Sequence, residues 1–165
     1  ISLGQSSSCA LTSTGGVKCW GDNKVYYLAG SYLFNEWTYG KLGIVDAGSG
    51  AGPANYTAPT DLPGLSSGVT WLGIREEYGC AVKQGTLTCW GTNQMGLLGD
   101  GTTTIRPTPV PVTAIDGGVA KVALGLKHVC AMTTGGAVYC WGDDSWGQST
   151  GTFSGYPKSV IGFLE

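Results

Sequence analysis

Apolar residues in this chain come in short runs of five or six, broken by glycine-containing turns, and no segment keeps a sustained helical period. The runs Val119–Leu124, 129–133 and 137–141 are rich in β-branched and apolar side chains and read as strands. Thr133-Thr134-Gly135-Gly136, between the last two, is a hairpin-turn signal. Alternate residues of a strand share a face, so Val138 and Cys140 point one way while Tyr139 and Trp141 point the other. Both faces are apolar, which predicts sheets covered on both sides.

The pattern recurs. Cys9-Ala10 through Cys19-Trp20-Gly21 returns as Cys80-Ala81 through Cys89-Trp90-Gly91 and as Cys130-Ala131 through Cys140-Trp141-Gly142, so all six cysteines belong to one repeating unit. The period from Cys80 to Cys130 is 50 residues, and a second landmark keeps step with it as Pro59-x-x-Leu62-x-x-Leu65, Pro109-x-x-Val112-x-x-Ile115 and Pro157-x-x-Val160-x-x-Phe163. The first unit is longer: Cys9 and Cys80 lie 71 residues apart, the excess falling after Asn23 and in a Gly/Ala/Pro tract at 46–58. The repeats are read as 1–65, with an insertion at about 24–58, then 66–115 and 116–165, in one continuous domain. A fifty-residue period suits four short antiparallel strands, as in the blades of a propeller. The expected fold is therefore all-β, three β-propeller-type blades of four-stranded antiparallel sheets in a partial or open propeller. Trp20, Trp90 and Trp141 are expected to pack between blades rather than to cage a ligand.

Beyond the Cys-Ala and Cys-Trp-Gly landmarks, the second unit continues as Asn93-x-x-Gly96-x-Leu98-Gly99-Asp100-Gly101. In this it resembles repeats of the regulator of chromosome condensation family, which form β-propellers. The resemblance covers essentially the whole chain outside the insertion. The third copy departs from it at Ser149-Thr150, where Leu-Gly is expected, and the first reaches Tyr39-Gly40-Lys41-Leu42-Gly43 only after its insertion. A shared fold does not by itself transfer a function.

Cysteines 9 or 10 residues apart across a hairpin sit on facing strands, where Cα separations of about 4.5 to 5.5 Å fall within the roughly 4.4 to 6.8 Å that a disulfide spans. Six cysteines allow 15 connectivities. The repeat selects Cys9–Cys19, Cys80–Cys89 and Cys130–Cys140, one staple per blade, in a disulfide-containing extracellular sub-type of the family. Buried free thiols are the alternative. Zinc is disfavoured, because there is no Cys-x-x-Cys and His128 is the only histidine. Disulfides imply an oxidising compartment, so a secreted or cell-surface location is expected.

Charge narrows the partners. Nine basic against eleven acidic residues give a net charge of −2, and charged residues make up only 12% of the chain. The basic residues are scattered, whereas phosphate binding needs concentrated positive charge, so no nucleic-acid contact is expected. No cofactor, metal site or transmembrane segment is expected either. Glu76-Glu77 and Asp143-Asp144 are adjacent carboxylates, but strand neighbours point to opposite faces and cannot be assumed to flank one glycosidic bond. His128 occupies a slot that is Ser7 in the first unit and Tyr78 in the second, which marks it as structural and not a positioned base. Asp100-Gly101-Thr102 lacks the alternating ligands of a calcium loop.

The insertion carries Tyr26, Tyr27, Tyr32, Phe34, Trp37 and Tyr39, six of 17 aromatics in sixteen residues. Rigid rings give contact area at low entropic loss, so these are candidate contacts to a protein or glycan; packing onto their own blade is the competing reading. Asn55-Tyr56-Thr57 is a glycosylation sequon expected in a surface loop. A chain of three blades running from Ile1 to Glu165 reads as a cut from a longer array, or else as a unit that self-associates into a ring or filament. The function expected is a non-enzymatic interaction module or structural subunit of an extracellular assembly. A guanine-nucleotide exchange factor-like regulator and a secreted enzyme inhibitor are the alternatives.

Overall fold

A computed structural model of the protein describes residues 1–28, 35–45, 55–148 and 154–160. Within them the chain forms strands and turns without an α-helix. The first blade contains β1 (Ser2–Leu3), β2 (Ser7–Leu11) and β3 (Val17–Asp22); it is followed by the hairpin β4 (Lys24–Leu28) and β5 (Asn35–Tyr39), and is completed by β6 (Asn55–Asp61). The second comprises β7 (Val69–Ile74), β8 (Tyr78–Lys83), β9 (Thr86–Gly91) and β10 (Arg106–Pro111). The third comprises β11 (Val119–Leu124), β12 (His128–Thr133), β13 (Val138–Gly142) and β14 (Ser154–Ser159). Each is a four-stranded sheet, with orders β1-β2-β3-β6, β7-β8-β9-β10 and β11-β12-β13-β14, all pairings antiparallel.

The prolines of the repeating landmark explain how each sheet ends. Pro59, Pro109 and Pro157 lie on β6, β10 and β14, the outermost strands. Proline lacks the N–H that a central ladder requires, so it is confined to an edge, where it also discourages pairing with another chain. The pairings of β6, β10 and β14 with their neighbours each carry a register shift. The sequence placed 46–58 in a loop, but pairing with β3 makes 55–61 a strand, and the sequon residue Asn55 is its exposed first position, not a loop residue.

Alternation along the strands builds the core between blades. Cys80, Val82, Leu87 and Cys89 face the third blade and cluster with Val129 and Trp141. Ala81 and Trp90, one position on, face the first blade and cluster with Val17, Leu62 and Leu65. Trp90 and Trp141 are fully buried, each lying on a glycine of the preceding blade. A Cβ on Gly43 would come within 2.8 Å of the Trp90 ring, and one on Gly99 within 2.9 Å of Trp141. Both glycines also have positive φ, +75° and +66°, which side chains beyond glycine rarely adopt. Trp20 differs: it is only half-buried and belongs to neither cluster, because its face is the rear of the first sheet, where no other sheet packs among the described residues.

The cysteines pair as Cys9–Cys19, Cys80–Cys89 and Cys130–Cys140. Each pair is directly opposed in the ladder, at Cα separations of 4.1, 4.1 and 4.2 Å. These are just below the expected range, at the narrow end of the antiparallel spacing. The second hairpin is a residue shorter because it turns on Gln84 and Gly85, with φ of 51° and 79°, the paired positive values of the tight hairpin turns.

Candidate protein-interaction face

Antiparallel neighbours place successive connections at alternate ends of a sheet. One end carries the short hairpins 12–16, 84–85 and 134–137. The other carries the turns 4–6, 75–77 and 125–127 and the long connections 23–54, 92–105 and 143–153, including the insertion. That loop-rich end is built on one repeated scaffold. Gly4, Arg75 and Gly125 each donate their backbone N–H to the carbonyl three residues on, at 2.8 to 2.9 Å. Asp22, Thr92 and Asp143 likewise donate to the carbonyls of Ser6, Glu77 and Lys127. These bonds establish residue-by-residue equivalence of the three turns.

Buried asparagines hold the long connections. Asn23 Oδ1 accepts from the Leu42 N–H and its Nδ2 donates to the Ile44 carbonyl; Asn93 Oδ1 accepts from the Leu98 N–H. Asn93 Nδ2 also donates to Asp100 and to the carbonyls of Thr102 and Thr104. Asp100 receives Thr102 and Arg106 as well, the latter at 2.6 Å. Burial acts to raise its pKa, but the Arg106 guanidinium, Thr102 and Asn93 outweigh it and hold the carboxyl below its ordinary range. Asp100 is thus committed to its own turn.

Contacts between blades fix the turns relative to one another. Tyr78 Oη donates to the Gly125 carbonyl at 2.7 Å, Arg75 Nε to the Leu124 carbonyl at 2.9 Å, and the Ile74 N–H to Ser2 Oγ at 2.9 Å. Burial pushes the Tyr78 hydroxyl far above the ordinary phenol value, against the opposing effect of Arg75, so it stays protonated and a donor. The residue repeated as Ser7, Tyr78 and His128 therefore opens β2, β8 and β12 beside these turns, and Tyr78 bridges two blades.

Where the second and third blades meet, the face holds a cavity of about 170 Å³. Its floor includes the buried Tyr78 and Leu97, Met95 and Leu126 supply apolar wall, and Glu76, Glu77 and Lys127 bring charge to it. Glu76 and Glu77 lie in a turn, where strand alternation does not apply, and both line this cavity. Asp143 and Asp144 also fall in a connection, beyond β13. The Asp143 carboxyl is held below its ordinary range by the Ser145 hydroxyl and amide first, with a smaller contribution from Lys127. Leu126 and Trp146 are 57% and 92% exposed on the same end.

Of the aromatics singled out in the insertion, Tyr26, Tyr27, Trp37 and Tyr39 lie on β4 and β5, whose register opposes Tyr26 to Trp37 and Lys24 to Tyr39. Tyr32 and Phe34 lie outside the described residues. Sequence reasoning passed over Leu126 and Trp146; the repeat alignment could have found Leu126, since an apolar residue stands there where the other units have Gln5 and Glu76. Among the described residues no cluster of three His, Cys, Asp or Glu is placed to hold a metal, and no helix is long and apolar enough to cross a membrane.

Comparisons with known proteins agree with this architecture. Sequence models of the regulator of chromosome condensation (RCC1) repeat match residues 1–26 and 119–148 and residues 84–132. The ultraviolet-B receptor UVR8 of Arabidopsis thaliana is 29% identical over 134 residues, 80% of this chain and 29% of that protein. Human WBSCR16 superposes with a TM-score of 0.72 at 24% identity, covering 96% of this chain and 36% of its own. Prp20p of Saccharomyces cerevisiae gives a TM-score of 0.70 at 21% identity, over 97% and 37%. The chain thus spans roughly a third of each of these proteins. Three copies of one motif, three four-stranded antiparallel sheets stacked through their Cys-Trp strands, and these matches together show that the chain carries RCC1 repeats, folded as blades of a partial β-propeller.

Proposed function

We propose that this protein is a non-enzymatic interaction module that binds a protein partner through the loop-rich end of its blades. The observation that carries this reading is the gathering, on that one end, of the inter-blade cavity, the exposed side chains of Leu126 and Trp146, and the inserted hairpin. An exposed aromatic and an exposed aliphatic side chain on the same end as a preformed hollow are what interface anchors require. The study of Prp20p concerns its binding to Gsp1p and histones, and this shared fold makes protein binding a natural use of such blades. Three disulfides support a secreted or cell-surface setting, where the exposed Asn55 would be open to glycosylation. In that setting the partner is a protein, glycan-bearing or otherwise, and the module serves an extracellular assembly, with self-association or further blades as ways to extend it. An exchange-factor role on a GTPase is the second reading; it rests on the fold shared with Prp20p, and tight binding to a nucleotide-free GTPase would favour it.

Paired substitutions test the proposal. Leu126→Ala with Trp146→Ala is expected to weaken partner binding at least tenfold by calorimetry, whereas Gln84→Ala with Thr134→Ala, on the opposite end, leaves it unchanged. Equal effects from the two pairs would refute the assignment of the face.

A further inference from the structure

The first blade contains a built-in occupant for the space that the second leaves open. Lys41 is 6% exposed, and its ammonium donates to Ser6 Oγ at 2.9 Å and to Asp22 Oδ2 at 3.1 Å. The backbone bonds already described fix the equivalent positions in the second blade. The Leu42 and Leu98 amides go to Asn23 and Asn93, which aligns Lys41 with Leu97. The Asp22 and Thr92 amides go to Ser6 and Glu77, which aligns those two pairs. In the second blade, then, the lysine is replaced by the shorter, uncharged Leu97, while the neutral Ser6 is replaced by the carboxylate Glu77. The lysine side chain is missing, and with Thr92 in place of Asp22 and Glu77 in place of Ser6 the single carboxylate beside this position has moved from one neighbour to the other.

The cavity lies at this position. Leu97, Glu77 and Thr92 all line it, Glu76 adds a second carboxylate, and Met95 and Leu126 provide apolar surface for a methylene stem. Lys127 brings one positive charge against the two glutamates, and it also stabilises the Asp143 carboxyl. A pocket with apolar surface at Met95, Leu97 and Leu126, and two carboxylates against one ammonium, matches a side chain that is aliphatic along its length and cationic at its tip.

We propose that this cavity is the anchor site for a lysine side chain of the partner polypeptide, taking the role at the second blade that Lys41 plays within the first. The inference rests on the reading of the loop-rich end as the binding face and names the chemistry recognised there. The methylenes lie against Met95 and Leu126, and the ammonium meets Glu76 and Glu77.

The test uses the isotopically labelled whole chain and three blocked pentapeptides, with lysine, norleucine or glutamate flanked by glycines, followed by amide NMR. The lysine peptide is expected to shift the amides of residues 76–78, 92–97 and 125–127. Glu76→Gln with Glu77→Gln is expected to weaken it about tenfold. Leu97→Lys, checked by its melting curve, fills the cavity from within and abolishes the shifts; if that variant fails to fold, the glutamine pair still decides. Absence of shifts with the lysine peptide, equal shifts with norleucine, or stronger binding of glutamate overturns the proposal. Should those results coincide with loss of partner binding in the Leu126 and Trp146 variant, the lysine anchor alone falls and the face assignment stands.

Discussion

The same residue does unequal work in different repeats. Trp141 Nε1 donates to the Leu97 carbonyl at 2.9 Å, whereas the equally buried Trp90 Nε1 meets no acceptor among the described residues. Replacing Trp141 by Phe removes volume and also leaves a buried carbonyl unpaired; replacing Trp90 by Phe removes volume and an unsatisfied donor together. An unsatisfied buried group costs about 1 to 3 kcal/mol. Trp141→Phe is therefore expected to destabilise the protein by about 1 kcal/mol more than Trp90→Phe, as read from urea midpoints at unchanged slope. Equal losses would show that the Leu97 carbonyl finds another donor. Trp20 shows the limit of reading one residue from its repeats: its strand position matches theirs, but its burial depends on whether a sheet covers that face.

At the scale of the element, each blade is a sheet closed by a staple and edged by proline. Converting Cys80 and Cys89 to alanine releases a short loop closure, expected to lower stability by about 2 to 3 kcal/mol with the blade still folded. Chemical unfolding of the variant measures this, and a change under about half a kcal/mol would mean that the unfolded chain gains no freedom from the cut. Strands and cysteine pairs were legible in the sequence because both follow from local rules, alternation and hairpin spacing, repeated three times. β6 was harder to see, because Asn55-Tyr56-Thr57-Ala58-Pro59-Thr60-Asp61 is an exposed edge with little apolar alternation, held by pairing with a strand more than thirty residues earlier. The shared cavity of Glu76 and Glu77 was illegible for a related reason. Turn residues do not alternate, and their neighbours Leu126 and Lys127 come from the next repeat.

At the scale of the molecule, stacking sheets through alternate faces gives two ends with different uses. The hairpin end turns the chain in a few residues; the loop-rich end is free to vary, and there the repeats differ most in length and charge. Binding through that end is the central claim, and site-specific photocrosslinking tests it most directly. A benzophenone amino acid placed at Trp146, and separately at the exposed Thr134 on the opposite end, would be irradiated on the protein in its native surroundings. Discrete protein adducts are expected from position 146 and none from 134. Adducts from 134 alone, or the same adducts from both positions, would contradict binding through the loop-rich end.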